Sequence, residues 1–164
     1  MQLVIADTGP INYLILIGQI DLLAALFERV LLPSAVQTEL AAHNAPSPVR
    51  DWINKPPSWI EVRPTIGNFD KDPLLKGIHE GEKAAIALAF TLRADLLLMN
   101  DRKGVRVARQ KGPRVTGTLG ILELATRQGL VDFAQAVGRL QQTNFRSPVG
   151  ILEALLEKHK TDTL

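Results

Sequence analysis

Short apolar runs alternate along the chain with longer segments of helical periodicity. The first run, LVIA at residues 3–6, is followed by a polar turn, which predicts a buried strand. The apolar segment 11–27 comes next and is interrupted by Gly18 and Asp21, so it predicts two helices rather than one. The chain therefore begins with a strand that leads into helices.

The same alternation continues to the end of the sequence. Further strands are predicted at residues 30–32, 59–62, 96–99 and near Val115. Helices are predicted from residue 34, over 48–55, from 81 onward, over 102–110, and at about 118–128, 132–141 and 149–160. The proline-rich part, 45–73, is the most irregular, and we expect it to end in a loop through Gly67 and Asp72.

Strands that alternate with helices favour a mostly parallel sheet, because parallel strands need crossover connections. We therefore predict an α/β fold with three layers, α/β/α, in which helices cover both faces of a central sheet. We find no linker or repeat and expect a single domain over residues 1–164. Ligands of such sheets bind outside the carboxyl ends of the strands, so polar residues that follow strands are the candidates for function.

Composition limits the chemistry that the chain can perform. Its 164 residues are 46% hydrophobic and 22% charged, as in an ordinary folded domain. The absence of cysteine excludes disulfides, thiol catalysis and cysteine-bearing zinc sites. Since the three histidines are scattered along the sequence, we expect any metal to be held by oxygen atoms.

The apolar segments are too interrupted for a membrane protein. None approaches the roughly 18 residues that a membrane span needs. The N-terminal residues do not resemble a signal peptide, and we expect the protein to be cytoplasmic. A net charge of +2 is weak evidence for nucleic-acid binding, so the placement of the charges is more informative than their sum.

Four acidic residues have positions that suggest chemistry. Asp7 and Asp101 directly follow predicted strands or their turns, although capping of the next helix would explain either one alone. Glu39 lies at or beside the buried face of its helix, with an exposed flank as the alternative. Glu82 lies in the first turn of an alanine-rich helix, where a favourable interaction with the helix dipole is the alternative.

The predicted topology brings these four acids to one end of the sheet. Like charges about 4 Å apart repel by about 4 kcal/mol at an effective dielectric constant of about 20, so such a cluster must hold protons or bind cations. Carboxylates suit Mg²⁺ or Mn²⁺, ions that support hydrolysis of phosphodiesters. The residues therefore predict metal-dependent hydrolysis of a nucleic-acid backbone.

A basic segment follows the fourth acid. Residues 102–114 contain six positive side chains and no acid. Helical spacing places Arg102, Arg106 and Arg109 on one side, where they could contact phosphates beside the metal site. A solvated helix face is the alternative. Aromatic residues are scarce, so recognition by backbone charge and shape is favoured over base stacking.

Other polar residues near these strands are supporting candidates. Asn100 could orient a substrate or close a turn, and capping of the next helix is the favoured role for the segment Thr116-Gly117-Thr118. The last predicted helix is amphipathic, which is typical of core packing, with an interface to a second protein as the alternative.

Five motifs together resemble those of PIN-domain ribonucleases, the fold of VapC-type toxins in toxin-antitoxin pairs. The motifs are VIADTGPINYL, LLPSAVQTEL, GEKAAIALA, LLLMNDRKGVRVARQKG and GTLGILELATRQGL. The last is similar to the ending of a subfamily of short PIN proteins. The resemblance covers nearly the whole chain and implies a Mg²⁺- or Mn²⁺-dependent ribonuclease, a homodimer and, in many members, a bound antitoxin. It assigns metal binding to Asp7, Glu39, Glu82 and Asp101, with Thr8 as a supporting hydroxyl.

The chain departs from the common pattern of that family at two places. Gly9-Pro10 replaces a second small polar residue, and the third acid stands in a Gly-Glu context instead of Asp-Ala. A PIN fold kept as an RNA-binding or protein-binding module, with weak or absent hydrolysis, is the alternative function. A phosphatase of the haloacid dehalogenase type would need an aspartate where Gly9 stands, and no phosphate-binding loop motif is present.

Overall fold

The computed structural model describes residues 2–64 and 71–160. Within these ranges the strands form one parallel sheet in the order β3-β2-β1-β4-β5. They are β1 (Val4–Ala6), β2 (Val30–Pro33), β3 (Ile60–Arg63), β4 (Leu96–Leu98) and β5 (Arg114–Thr116).

Each connection between consecutive strands contains one or more helices. The first four helices are α1 (Thr8–Leu16), α2 (Leu22–Phe27), α3 (Ser34–Leu40) and α4 (Ser47–Asn54). The others are α5 (Glu80–Thr91), α6 (Arg102–Gln110), α7 (Thr118–Arg127), α8 (Phe133–Gln141) and α9 (Ile151–Lys160). In the described ranges, no helix is long and apolar enough to cross a membrane.

Two hydrophobic clusters, one on each face, enclose the sheet. Successive strand residues point to opposite faces, so Val4 and Ala6 belong to one cluster and Ile5 to the other. The first cluster receives buried side chains from α1, α2, α3, α4, α7 and α8, and the second receives them from α5 and α6. The predicted α/β/α layering is confirmed, and the parallel strands read as continuous apolar runs because both faces are covered.

The last helix packs on the first cluster, as the ordinary interpretation of its amphipathic pattern predicts. Leu152, Leu155 and Leu156 of α9 are partly buried against that cluster. Ile151 at its start is exposed. Most of the apolar stripe of α9 is therefore used within the chain.

The proline-rich part differs in detail from the prediction. Helix α4 begins at Ser47 instead of residue 48, and Gly67 of the predicted loop lies outside the described residues. Asp72 does not lie in an open loop. Its carboxylate accepts a hydrogen bond of 2.9 Å from the Leu74 amide and begins a short 3-10 helix at Pro73–Leu75. This turn was not predicted, because three residues are too few to show a periodicity.

The strand order reverses direction in the middle of the sheet. From β1, the strands β2 and β3 extend to one side and β4 and β5 to the other. The carboxyl ends of β1 and β4 therefore flank a topological switch point, the usual place for a ligand in an open parallel sheet. Asp7 follows β1, and its backbone N–H donates to the Leu98 carbonyl at the end of β4 over 2.9 Å.

Candidate active site

An open cleft of about 800 Å³ lies at the switch point and is lined by all four predicted acids. We call it the acidic cleft and define it by Asp7, Glu39, Glu82 and Asp101. These residues come from the end of β1, from α3, from α5 and from the start of α6. The fold thus brings Asp7 and Asp101 to one cleft although they are more than 90 positions apart in the sequence.

Asp7 is the most unusual of the four acids. It occupies the N-cap position of α1, yet its side chain makes no capping hydrogen bond, so capping does not explain it. The residue is only 5% exposed, and its Oδ1 atom has no hydrogen-bond partner in the described chain. Burial is the main reason that its pKa rises to about 7, with a smaller contribution from Glu39 and Asp101. A hydrogen bond from the Thr8 backbone partly offsets the rise in pKa.

Glu82 shares this electrostatic environment. It is half-buried at the first turn of α5, and burial followed by repulsion from Asp7 and Asp101 raises its pKa to about 7. No residue in the described ranges donates a hydrogen bond to it. Asp7 and Glu82 are therefore two carboxyl groups whose ionised forms need a positive partner.

Asp101 combines a structural role with an available oxygen. Its Oδ2 atom accepts a hydrogen bond of 2.9 Å from the Gly104 amide and caps α6, as the capping interpretation predicted. Its Oδ1 atom accepts none from the described residues, and the residue is exposed. Capping thus fixes the side chain while one oxygen stays accessible to the cleft.

Both oxygens of Glu39 are already hydrogen-bonded. The Thr8 hydroxyl donates to Oε2 over 2.5 Å, and the Gly81 amide donates to Oε1 over 3.1 Å. The Nδ1 atom of His79 lies 3.1 Å from the same Oε1. Glu39 therefore connects α1, α3 and the start of α5, and it differs from the other three acids in having little free acceptor capacity.

The donor set suits a hard divalent cation. Within residues 2–64 and 71–160, Asp7, Glu82 and Asp101 each offer a carboxylate oxygen that receives no hydrogen bond, and the one on Asp7 is buried. Among the residues that the structure describes, no three acidic or histidine side chains already form a group compact enough to hold a metal ion. Mutual repulsion of uncompensated carboxylates favours such separation.

The segment Thr116-Gly117-Thr118 supplies the N-cap of α7, as favoured, but the capping residue is Gly117 and not a threonine. No side chain caps this helix. Thr118 is fully buried, and its backbone N–H donates instead to Asn100 Oδ1 over 2.8 Å. The Asn100 amide also donates to the Thr118 hydroxyl over 3.0 Å. This pair joins the end of β4 to α7 and supports the loop that carries Asp101.

The three predicted arginines share one side of α6, as expected. Arg102, Arg106 and Arg109 line a second cleft of about 660 Å³ that adjoins the first, which we call the basic cleft. None of the three has an ion pair in the described chain. The two lysines of the segment have other contacts: Lys103 donates to the Gly77 carbonyl over 3.4 Å, and Lys111 pairs with Asp72 and lies over the Phe90 ring.

Two parts of the acidic cleft were not predicted from the sequence. Because the three histidines are scattered along the sequence, His79 was not predicted, although it stands directly before the helix that carries Glu82. Residues 144–148 also line the cleft, together with Tyr13 of α1. No signal in residues 144–148 could have indicated this, because the segment is irregular and lies far along the chain from the four acids of the cleft.

The hydrogen bond from Thr8 to Glu39 leads to a prediction. We expect Thr8→Val to lower kcat for the reaction of this site by roughly 10-fold, because losing a supporting hydrogen bond lets the carboxylate turn. Thr8→Ser keeps the hydroxyl and should retain the parental rate. Steady-state kinetics of both variants measure kcat. Equal kcat values for Thr8→Val and the parental protein would contradict a positioning role for Thr8.

The fold and the acidic cleft together define an α/β protein with carboxylates at the switch point of a parallel sheet. A family model described as PIN domain matches residues 3–161, so the chain belongs to the PIN-domain family. PIN domains are generally nucleases, which supports a hydrolase role. No curated protein and no solved structure matches the chain.

Proposed function

We propose that this protein is a ribonuclease that hydrolyses RNA phosphodiester bonds with the help of Mg²⁺ or Mn²⁺. The observation that carries the proposal is the buried Asp7 carboxyl, whose Oδ1 has no partner among the described residues and whose pKa is raised at the switch point of the sheet. A structural carboxyl at such a position would be expected to have a donor. A carboxyl kept without one is suited to a cation.

Asp7, Glu82 and Asp101 would hold the ion, and Glu39 would brace the site. A bound divalent cation supplies activation of water and neutralisation of charge on the phosphate. In the overall reaction a water oxygen bonds to phosphorus, the bond from phosphorus to one ribose oxygen breaks, and the departing oxygen gains a proton. Arg102 lines both clefts and would contact the phosphate group from the side of α6.

The test is cleavage of a mixed RNA pool by the purified protein with Mg²⁺ or Mn²⁺, beside a sample in EDTA. Glu82→Gln should lose cleavage because the variant cannot present an anionic oxygen to the ion. Glu80→Gln is the matched control, since Glu80 lies in the same first turn but is exposed and pairs with Lys83. Cleavage that persists in EDTA would reject metal dependence.

The proposal extends to a toxin of a toxin-antitoxin pair that acts as a homodimer in the cytoplasm. Its support is the resemblance of the five motifs to VapC-type toxins, and a protein antitoxin is the implied partner. Expression in a bacterial host should arrest growth, and coexpression of a small neighbouring gene should restore it. Normal growth during expression of a protein that cleaves RNA in vitro would favour a housekeeping nuclease.

The second candidate is a PIN module that binds RNA or protein without efficient hydrolysis. The separation of the acidic side chains favours it, since no three of them in the described ranges form a ready metal site. Binding of RNA without cleavage in either metal would support this module. Cleavage that depends on Glu82 would exclude it.

A further inference from the structure

The segment between α8 and α9 forms a wall beside the candidate active site. We call residues 143–148 the 143–148 wall. The Tyr13 hydroxyl donates to Asn144 Oδ1 over 2.8 Å, and the rings of Tyr13 and Phe145 meet edge to face with centroids 5.1 Å apart. Because Tyr13 belongs to α1, the helix that begins after Asp7, the wall is attached directly to the site.

The base of the wall is held by the end of α8. The Thr143 hydroxyl donates to the Leu140 carbonyl over 2.6 Å and accepts from the Phe145 amide over 3.1 Å. These contacts fix the backbone on both sides of Asn144. The irregular segment therefore has a defined course in which Arg146 follows an anchored aromatic residue.

The wall is shared by the two clefts. Residues 145–148 line both the acidic cleft and the basic cleft, and so do Asn100 and Arg102. The two clefts are thus parts of one groove that changes from acidic to basic along its length. Arg102 and Arg146, from distant parts of the sequence, both lie where the two parts meet.

Arg146 makes no ion pair or side-chain hydrogen bond within the described part of the chain. It is exposed. An arginine with that freedom beside four acids counteracts the repulsion that the acids exert on an approaching phosphate. Its planar guanidinium can donate two hydrogen bonds to one phosphate.

We propose that Arg146 is a substrate-positioning residue that binds the RNA phosphate next to the one that is cleaved. On this proposal, the basic cleft takes the following nucleotides through Arg106 and Arg109. The inference rests on the proposed ribonuclease function and adds a residue and a direction to it. RNA runs from the acidic cleft, past the wall, into the basic cleft.

The experiment compares KM and kcat for a trinucleotide and for an RNA of about ten nucleotides. Arg146 lies at the junction, so Arg146→Ala should raise KM for both substrates by roughly 3- to 10-fold and leave kcat within about 2-fold. The double variant Arg106→Ala, Arg109→Ala should raise KM only for the longer RNA, because these residues line only the basic cleft.

Two further variants separate a specific contact from general charge. Arg114→Ala is the matched control, since Arg114 is an exposed arginine of the same basic segment but lines neither cleft. It should leave KM unchanged for both RNAs. Arg146→Lys should show a smaller increase in KM than Arg146→Ala, because a lysine keeps the charge but loses the paired donors. The salt dependence of binding should weaken by about 0.7 in slope for Arg146→Ala.

The outcomes distinguish this inference from the proposed function. If the parental protein cleaves RNA and Arg146→Ala has the parental KM for both RNA lengths, the positioning role alone is overturned. A fall in kcat at constant KM overturns it as well. Parental protein that neither cuts nor binds RNA overturns the ribonuclease and the positioning role together. Fluorescence anisotropy of a labelled RNA in EDTA measures binding independently of cleavage, and thermal unfolding confirms that each variant is folded.

Discussion

Asp7→Asn is expected to abolish metal-dependent RNA cleavage and, in EDTA at pH 8, to make the folded protein more stable. The amide cannot replace an anionic metal ligand, so kcat should fall at least about 100-fold. Removal of a poorly solvated charge whose pKa is raised to about 7 should increase the melting temperature by an amount on the order of 5 °C. RNA binding in EDTA should be retained or improved, because one repulsive charge is lost.

Asp21→Asn is the matched control for this prediction. Asp21 is also an N-cap residue without a side-chain capping bond, but it is exposed and lies at the start of α2. The control should change neither cleavage nor thermal stability by a measurable amount. Cleavage by Asp7→Asn at the parental rate would remove Asp7 from the chemistry, and a lower melting temperature would show that its carboxyl stabilises the fold.

The second large expected effect is a change in thermal stability with pH. In EDTA, the melting temperature should fall as the pH rises from about 4 to about 7, and should then level off. Asp7 and Glu82 have pKa values of about 7 when folded, against 3.8 and 4.5 for the unperturbed groups. In this interval the folded state therefore binds more protons than the unfolded state, so each rise in pH favours unfolding.

Added Mg²⁺ or Mn²⁺ should reverse this loss of stability at pH 8 and have little effect at pH 5. The reason is that the ion competes with protons for the same carboxylates. Thermal unfolding at several pH values, with EDTA or with metal, measures both effects. The double variant Asp7→Asn, Glu82→Gln should show a flatter pH profile, and an unchanged profile in that variant would assign the pH dependence to other groups.

Much of the sheet could be predicted from the sequence because each buried strand is a short apolar run bounded by polar or turn residues. The strand at residues 96–98, for example, is enclosed by Asp95 and Asn100 and lies where the pattern places it. The proline-rich part was predicted less accurately. Its short turns depend on single side chains such as Asp72, which periodicity does not detect.

The sequence indicated the four acids that line the acidic cleft, but neither the other lining residues nor the contacts that the acids make. Topology explains why Asp7, Glu82 and Asp101 line one cleft, since strand ends and helix starts meet at the switch point. Glu39 instead comes from the last turn of α3. The hydrogen bonds of the four acids depend on tertiary contacts that a sequence pattern does not contain. Glu39 is held by Thr8, Gly81 and His79, whereas the Asp7 carboxyl is left without a donor at Oδ1. The assignment of all four as metal ligands stays a prediction.

Two glycines of the site, Gly81 and Gly9, stand where a side chain would be crowded. At Gly81, a Cβ atom would lie 2.7 Å from Cδ of Glu39, so a side chain there would displace the carboxylate. At Gly9, a Cβ atom would lie 3.1 Å from the Asn100 amide nitrogen, which is also tight. Both glycines therefore allow α1 and α5 to approach polar groups of the site closely.

The 143–148 wall places the proposed binding of substrate on a different part of the fold from the acids of the acidic cleft. The acids are built on the sheet and on helices packed against it, whereas the wall is a short irregular segment held mainly by Tyr13 and the end of α8. Substitutions at 146–148 can therefore accumulate without disturbing the core. On the proposed function, target choice can therefore be redesigned at the wall while the acids of the cleft are kept.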